Sequence, residues 1–239
     1  YNAAPVQIAC INLVSTTGLR STSHLVTDSF LSPLGEIEGF YTENLIRLSG
    51  FNVYQKPERA PDVAPLPATY NGYVVFGSFN NPAKITPECI SLWTDLLQTI
   101  PSSRLFLKHR SFENSEICQR FSLQFRKAGI SDRRLIFHGY TRDNYKYLDF
   151  YNQIDMALDP TPFGGGTTTY ESTWMGVPVL TLVGDTMMSR TTGSIMTRLG
   201  YSEFVTKSPE AYVSCAKDMV LDLPGLSKIR YGLRKSANK

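Results

Sequence analysis

From Tyr73 onward, short apolar runs alternate with stretches of helical periodicity. The runs Tyr73–Phe79, Arg104–Lys108, Arg134–His138, Ile154–Asp159, Pro178–Leu182 and Phe204–Thr206 have the length and apolar content of buried strands. Between them, Ile90, Trp93, Leu97 and Ile100 recur at helical spacing, as do Ile117, Phe121 and Phe125, with Gly129 placed to end that helix in a left-handed turn. Ser208-Pro209 reads as a cap and first-turn proline, and Tyr212, Cys215 and Met219 form the apolar stripe that follows. This alternation predicts an α/β fold with a doubly wound parallel sheet covered on both faces. In the usual 3-2-1-4-5-6 strand order, the first and fourth strands meet at the switch point, where ligands bind at the carboxyl ends. That rule singles out two loops before any motif is considered: residues 80–84 and residues 160–166.

Before Tyr73 the pattern is sparser. Strand-like runs at Val6–Leu13, Leu25–Thr27 and Leu45–Tyr54 are too few for a core of their own, and predict the tail end of a lobe whose beginning lies upstream (residues 1–56). Residues 57–71 hold Pro57, Pro61, Pro65 and Pro67. Proline removes amide donors and restrains its predecessor, so this stretch is expected to be an extended linker. Residues 72–239 would then form the second lobe. The start at Tyr1 is read as that of a fragment, which makes the absence of a leader uninformative.

Composition narrows the function classes. The 239 residues are 42% hydrophobic, with a net charge of +3 and no apolar run long enough to span a membrane. Cys10, Cys89, Cys118 and Cys215 are scattered, and His24, His109 and His138 have no metal-ligand spacing. No metal is therefore expected, and reduced cysteines suit an intracellular or cytoplasmic setting. With no basic run, nucleic acid is not an expected partner. Walker, nucleophile-elbow and H-E-x-x-H motifs are all absent.

The two loops carry the candidate chemistry. In PTPFGGGTTTYE, Gly164, Gly165 and Gly166 let backbone approach a ligand, and Thr167, Thr168 and Thr169 open a helix whose amino end attracts anions. The same segment also reads as an ordinary strand-to-helix loop. Glu171 lies about one turn further on, suited either to accepting bonds from vicinal hydroxyls or to complementing the helix dipole. In the other loop, FNNPAK, Lys84 is placed to neutralise a diphosphate but reads equally as a solvated surface charge, and Asn80 and Asn81 read equally as turn residues. Tyr140, Tyr145, Tyr147 and Tyr151 crowd the segment between the third and fourth strands, where aromatics stack on a base or pack a helix onto the sheet.

FGSFNNPAKITP and ALDPTPFGGGTTTYESTWMGVPVLTL together resemble the catalytic region of SPINDLY-type O-linked N-acetylglucosamine transferases, and Pro5 to Asp28 resembles the late part of their first lobe. The resemblance implies a two-lobed GT-B architecture whose C-terminal lobe is Rossmann-like, preceded by tetratricopeptide repeats in the full-length protein. It implies inverting, metal-independent transfer of a sugar from a uridine diphosphate donor to Ser or Thr of a protein acceptor. Lys84 would then be the catalytic contact to the diphosphate, with Thr167 and Thr168 on the β-phosphate. Glu171 would stand at the ribose-binding carboxylate, Asn81 near the phosphates, and Tyr147 where members carry a histidine beside the uracil. The backbone at Tyr140 and Thr141 would read the base edge. Asn12 to Gly18 depart from the members' G-Y-P-G-T-[ST]-G, and Gly166 replaces a histidine. These departures leave room for another UDP-sugar, an asparagine acceptor or a catalytically silent scaffold.

Overall fold

In a computed structural model, the chain is described over residues 4–10, 15–50 and 54–238. Six parallel strands form the larger sheet: β4 (Val74–Ser78), β5 (Ser103–Lys108), β6 (Leu135–His138), β7 (Met156–Leu158), β8 (Val179–Leu182) and β9 (Val205–Thr206). Their spatial order is β6-β5-β4-β7-β8-β9, the expected 3-2-1-4-5-6 arrangement, with β4 beside β7 through Phe76–Met156 and Gly77–Ala157. Every residue of β4 is buried, as a strand covered on both faces requires.

The covering helices are α2 (Pro87–Thr99), α3 (Ser115–Lys127), α4 (Asn144–Asp149), α5 (Thr167–Trp174), α6 (Met187–Arg198), α7 (Pro209–Leu221) and α8 (Leu223–Ala237). Local chemistry fixes their ends. The Thr86 hydroxyl accepts from Cys89 N ahead of Pro87, and Ser208 accepts from Ala211 N ahead of Pro209. Gly129 adopts φ +84°; its amide bonds Arg126 O, and Ile130 N bonds Phe125 O, closing α3 with the predicted left-handed turn. Helix α8 was not foreshadowed by its sequence, which carries Pro224, Gly225 and Gly232. Asp222 caps it by accepting from Gly225 N, and its buried face holds Leu226, Arg230 and Leu233.

The early segment forms a separate three-stranded parallel sheet from β1 (Ile8–Ala9), β2 (His24–Asp28) and β3 (Asn44–Leu48). The expected runs at Val6–Leu13 and Leu45–Tyr54 extend further, but residues 11–14 and 51–53, Asn12 among them, lie outside the described residues. Its small core of Ala9, Leu25 and Leu31 is closed by Met187 from α6. The same helix donates from Ser194 Oγ to Asp28 Oδ2 at 2.6 Å, and Phe30 lies where a Cβ on Gly193 would sit.

The proline-rich stretch departs from the expectation of a purely extended linker. Its last residues form the one-turn helix α1 (Ala68–Asn71), closed by Gly72 at φ +73°. The rest is stitched down by long-range partners. Arg230 donates to Ala64 O and Ile154 O, Arg234 to Pro61 O, and Asp155 accepts from Ala68 N and Val75 N. Proline-rich backbone has few donors, so side chains from α8 supply what a ladder would have supplied.

Candidate functional site

The loops after β4 and β7 meet over the switch point, and the crevice between the two strands is lined by Ser78, Asn80, Thr168 and Thr169. Lys84, in the 3-10 turn Pro82–Lys84, reaches across and donates from Nζ to Gly164 O at 2.9 Å. Its ammonium also sits 4.2 Å from the Phe163 ring centroid. Burial lowers its pKa, opposed by the negative charge of Asp159. Asn81 uses its side-chain oxygen to accept from Ala83 N at 3.0 Å, holding the turn that aims Lys84.

The glycine loop is held through its peptides. Gly164 N bonds Met188 O at 3.2 Å, Gly165 N bonds Asp159 Oδ1 at 2.7 Å, and Thr192 Oγ1 donates to Gly165 O at 3.2 Å. A Cβ on Gly164 would lie 2.9 Å from Asp159 Oδ2, and one on Gly165 would lie 2.7 Å from the Thr168 and Thr169 hydroxyls, so only glycine fits at these two positions. Gly166 is the N-cap of α5 and makes no side-chain cap, leaving Thr167, Thr168 and Thr169 as its first turn. The Thr169 amide bonds Gly166 O at 3.0 Å, while the amides ahead of it in this turn have no helical carbonyl behind them, so this end of α5 is suited to an anion. Thr168 Oγ1 donates to Asn80 Oδ1 at 3.1 Å and ties the two loops together.

One turn along α5, Glu171 is mostly buried. The Tyr147 hydroxyl donates to its Oε2 at 2.9 Å and Tyr151 to the same oxygen at 3.3 Å. Burial raises the Glu171 pKa, and these two bonds work against that rise. Tyr147 is thereby held edge-on to Tyr151, with its hydroxyl committed to Glu171. Tyr140 and Thr141 do not join this group. They line another cavity, about 320 Å³, with His138, Lys146 and Phe150, and Tyr140 is exposed. A further cavity, about 750 Å³ and lined by Tyr54, Tyr170, Trp174 and Arg198 among others, contains none of the residues singled out in the sequence.

Among the buried ionisable groups not singled out from the sequence, Lys108 and Asp159 lie at the carboxyl ends of strands beside these loops. Lys108 ends β5 almost fully buried, donating to Gly139 O at 2.9 Å and Thr141 Oγ1 at 2.7 Å and lying 4.3 Å from the Phe150 ring centroid. Asp159 follows β7 and accepts from Gly165 N and Thr181 Oγ1. Burial pushes its pKa up to about 6, against the stabilising influence of those donors and of Lys84. The signal available for Asp159 was a carboxylate ending an apolar strand at the switch point. Among the described residues, no three His, Cys, Asp or Glu side chains are grouped as metal ligands would be. No helix of the described residues is long and apolar enough to cross a membrane.

Residues 66–238, which include both loops, match the model of glycosyl transferase family 41. The chain belongs to that family. It is 37% identical over 232 residues to the probable UDP-N-acetylglucosamine–peptide N-acetylglucosaminyltransferase SPINDLY of Arabidopsis thaliana, covering 97% of this chain and 25% of that protein. The chain therefore spans about a quarter of the length of the curated relatives it matches. A solved point mutant of the Thermobaculum terrenum O-GlcNAc transferase superposes with a TM-score of 0.90 at 36% identity, over 98% of this chain and 44% of that one. A sucrose-phosphate synthase from Thermosynechococcus elongatus gives a TM-score of 0.61 at 12% identity over 91% of this chain and 54% of that one, a likeness of fold alone. This family 41 chain thus has the parallel-sheet α/β architecture of GT-B glycosyltransferases.

Proposed function

We propose that this chain forms the donor-binding part of a protein glycosyltransferase that moves a sugar, N-acetylglucosamine by its relatives' names, from a uridine diphosphate donor to a Ser or Thr hydroxyl. On this reading residues 1–56 end the acceptor lobe, residues 57–71 connect, and residues 72–239 hold the donor. The enzyme works inside the cell and without a metal. The observation that carries it is the meeting of Lys84 with the Gly164–Gly166 loop at the amino end of α5. An ammonium, a glycine backbone and a helix terminus converge where a diphosphate is to be held.

Lys84 and the first-turn amides of α5 bind the two phosphates and stabilise the charge that grows on the leaving diphosphate as the sugar departs. Preorganised donors of this kind act because they need no reorganisation at the moment of reaction. Thr167 and Thr168 add hydroxyl donors, and Glu171 offers its carboxylate to the ribose. Asn81 sets the turn bearing Lys84, and Tyr147 sets the direction of Glu171. Tyr140 and Thr141 flank the base through their backbone.

Calorimetric titration of the chain with uridine diphosphate, against guanosine and adenosine diphosphates, tests the reading. Selective micromolar binding of the uridine nucleotide is expected. Preference for another base would overturn the uridine assignment while keeping the diphosphate site. No binding of any of the three would overturn the donor-site reading for this chain.

A further inference from the structure

The carboxylate of Asp159 lies directly behind the proposed phosphate cradle and has no part in the chemistry assigned above. It is 2% exposed. One oxygen holds Gly165 N at 2.7 Å, and the other accepts from Thr181 Oγ1 at 2.9 Å and approaches the space over Gly164 Cα. Lys84 grips the same loop from the opposite side through Gly164 O at 2.9 Å. The two opposite charges thus flank one glycine peptide, and Asp159 is not among the partners that Lys84 contacts as an ion pair within the described residues. The other ionisable groups facing Asp159 are Cys89 from α2 and Tyr212 from α7. Burial pushes Cys89 up to about 12 and Tyr212 well above its usual value, so both stay neutral near neutral pH. Thr192, from α6, brings only a hydroxyl.

An anionic ligand seated on Lys84 and the α5 amides would add negative charge on the far side of the Gly164 peptide. Inside a protein such charges are weakly screened, and a like charge favours the neutral form of a buried carboxyl. We propose that Asp159 is a positioning residue of the donor site, clamping the Gly164–Gly165 peptides and taking up a proton when a diphosphate displaces it as the counter-charge of Lys84. Protonation leaves the clamp intact, because Gly165 N and Thr181 Oγ1 still find oxygen acceptors. The free carboxyl already titrates close to neutrality, at about 6, so the proton is available in the ordinary buffer range. This inference rests on the donor-site reading.

The test is calorimetry of the chain with UDP-N-acetylglucosamine, whose diphosphate is esterified at both ends and does not itself titrate near neutrality. Titrations at pH 7 in two buffers of different ionisation enthalpy measure the protons taken up. Net uptake by the wild-type chain is expected, with binding about fivefold tighter at pH 6 than at pH 8. Asp159→Asn keeps one oxygen to accept from Gly165 N, turns its amide NH2 toward the Thr181 hydroxyl, which can accept, and cannot titrate. It is expected to abolish the uptake and to bind at pH 8 at least as tightly as wild type does at pH 6. A purely structural role would instead weaken binding in this variant at every pH. Should the variant misfold, judged by near-ultraviolet circular dichroism, Thr181→Val takes its place: it removes a donor from the Asp159 carboxylate and is expected to move the proton uptake to higher pH, whereas an unmoved uptake would overturn the assignment to Asp159. Binding without proton uptake overturns this inference and leaves the donor site standing, as does uptake that persists in Asp159→Asn, which would point to Glu171 or Lys84. No binding at any pH overturns the donor-site reading, and this inference with it.

Discussion

The Tyr147 hydroxyl donates to Glu171 Oε2 at 2.9 Å, joining α4 to the second turn of α5. Tyr151 shares that oxygen at 3.3 Å and also donates to Thr168 O at 3.3 Å, so the carboxylate is oriented by two phenols from one segment. Tyr147→Phe removes one donor and leaves the ring. Loss of a hydrogen bond to a charged acceptor costs about 1.5–3 kcal/mol, and the remaining Tyr151 bond should hold this near the lower end. Urea unfolding should show that loss, and titration with uridine diphosphate should show affinity falling several-fold as Glu171 loses its direction. Unchanged affinity would mean that Glu171 does not face the ligand.

Lys84→Ala is the sharpest test of the phosphate cradle. The side chain makes a bond to Gly164 O and a contact with Phe163, so its removal loosens the loop as well as deleting a charge. Binding of uridine diphosphate should fall at least tenfold, about 1.4 kcal/mol or more. Uridine binding should change little, because a nucleoside carries no phosphate for the ammonium to meet. Parallel losses for nucleotide and nucleoside would contradict the assigned role.

The three consecutive glycines should respond differently to a methyl group. Gly164→Ala meets Asp159 Oδ2 at 2.9 Å and Met188 O at 3.2 Å, the second of these backbone. Gly166→Ala meets nothing within 4 Å. Crowding a packed position typically costs 1–3 kcal/mol. Thermal denaturation should therefore show Gly164→Ala less stable by about that amount, and Gly166→Ala within about 0.5 kcal/mol of wild type. Equal effects would mean that the loop is not held through Asp159 as described.

The parts of this site that could be read from sequence follow local rules. Strand–helix alternation gave the sheet, and strand order then placed Lys84 beside the Gly164–Thr169 segment, because a doubly wound sheet has one switch point. The unread parts depend on partners far apart in the chain. Ala64 O is satisfied by Arg230, 166 residues away, and nothing in a proline-rich stretch predicts which cation will arrive. Tyr147 read either as a ring for stacking on a base or as helix packing, and only the direction of a short helix shows which partner its hydroxyl meets, here Glu171. Helix α8 was hidden because Pro224 and Gly225 sit in its first turn, where proline is tolerated and Asp222 provides the cap.

Buried carboxyls also give the fold a pH signature with a definite sign. Burial pushes both Asp155 and Asp159 up to about 6 from an ordinary 3.8, despite the donors that each accepts. A folded-state pKa above the unfolded one means that the folded chain binds the proton more tightly. The contribution of each group is full below pH 4 and is lost as pH rises through 6. Other groups run the other way, Glu43 and His109 among them. Burial raises Glu43, but hydrogen bonds from Thr17 and Thr16 more than offset it and bring it to about 2, so its contribution is lost only in strong acid. His109 is lowered by burial and the neighbouring Arg110, so it opposes the aspartates as pH falls through the histidine range. The difference between wild type and Asp159→Asn isolates one aspartate from these. Urea unfolding at pH 5 and pH 7 should show the variant gaining stability relative to wild type at the higher pH. For a carboxyl shifted to about 6 the gain is roughly 1 kcal/mol. A difference that stays constant between the two pH values would mean that Asp159 carries no shifted proton in the folded chain. The proton-linked binding proposed for it would then lose its source.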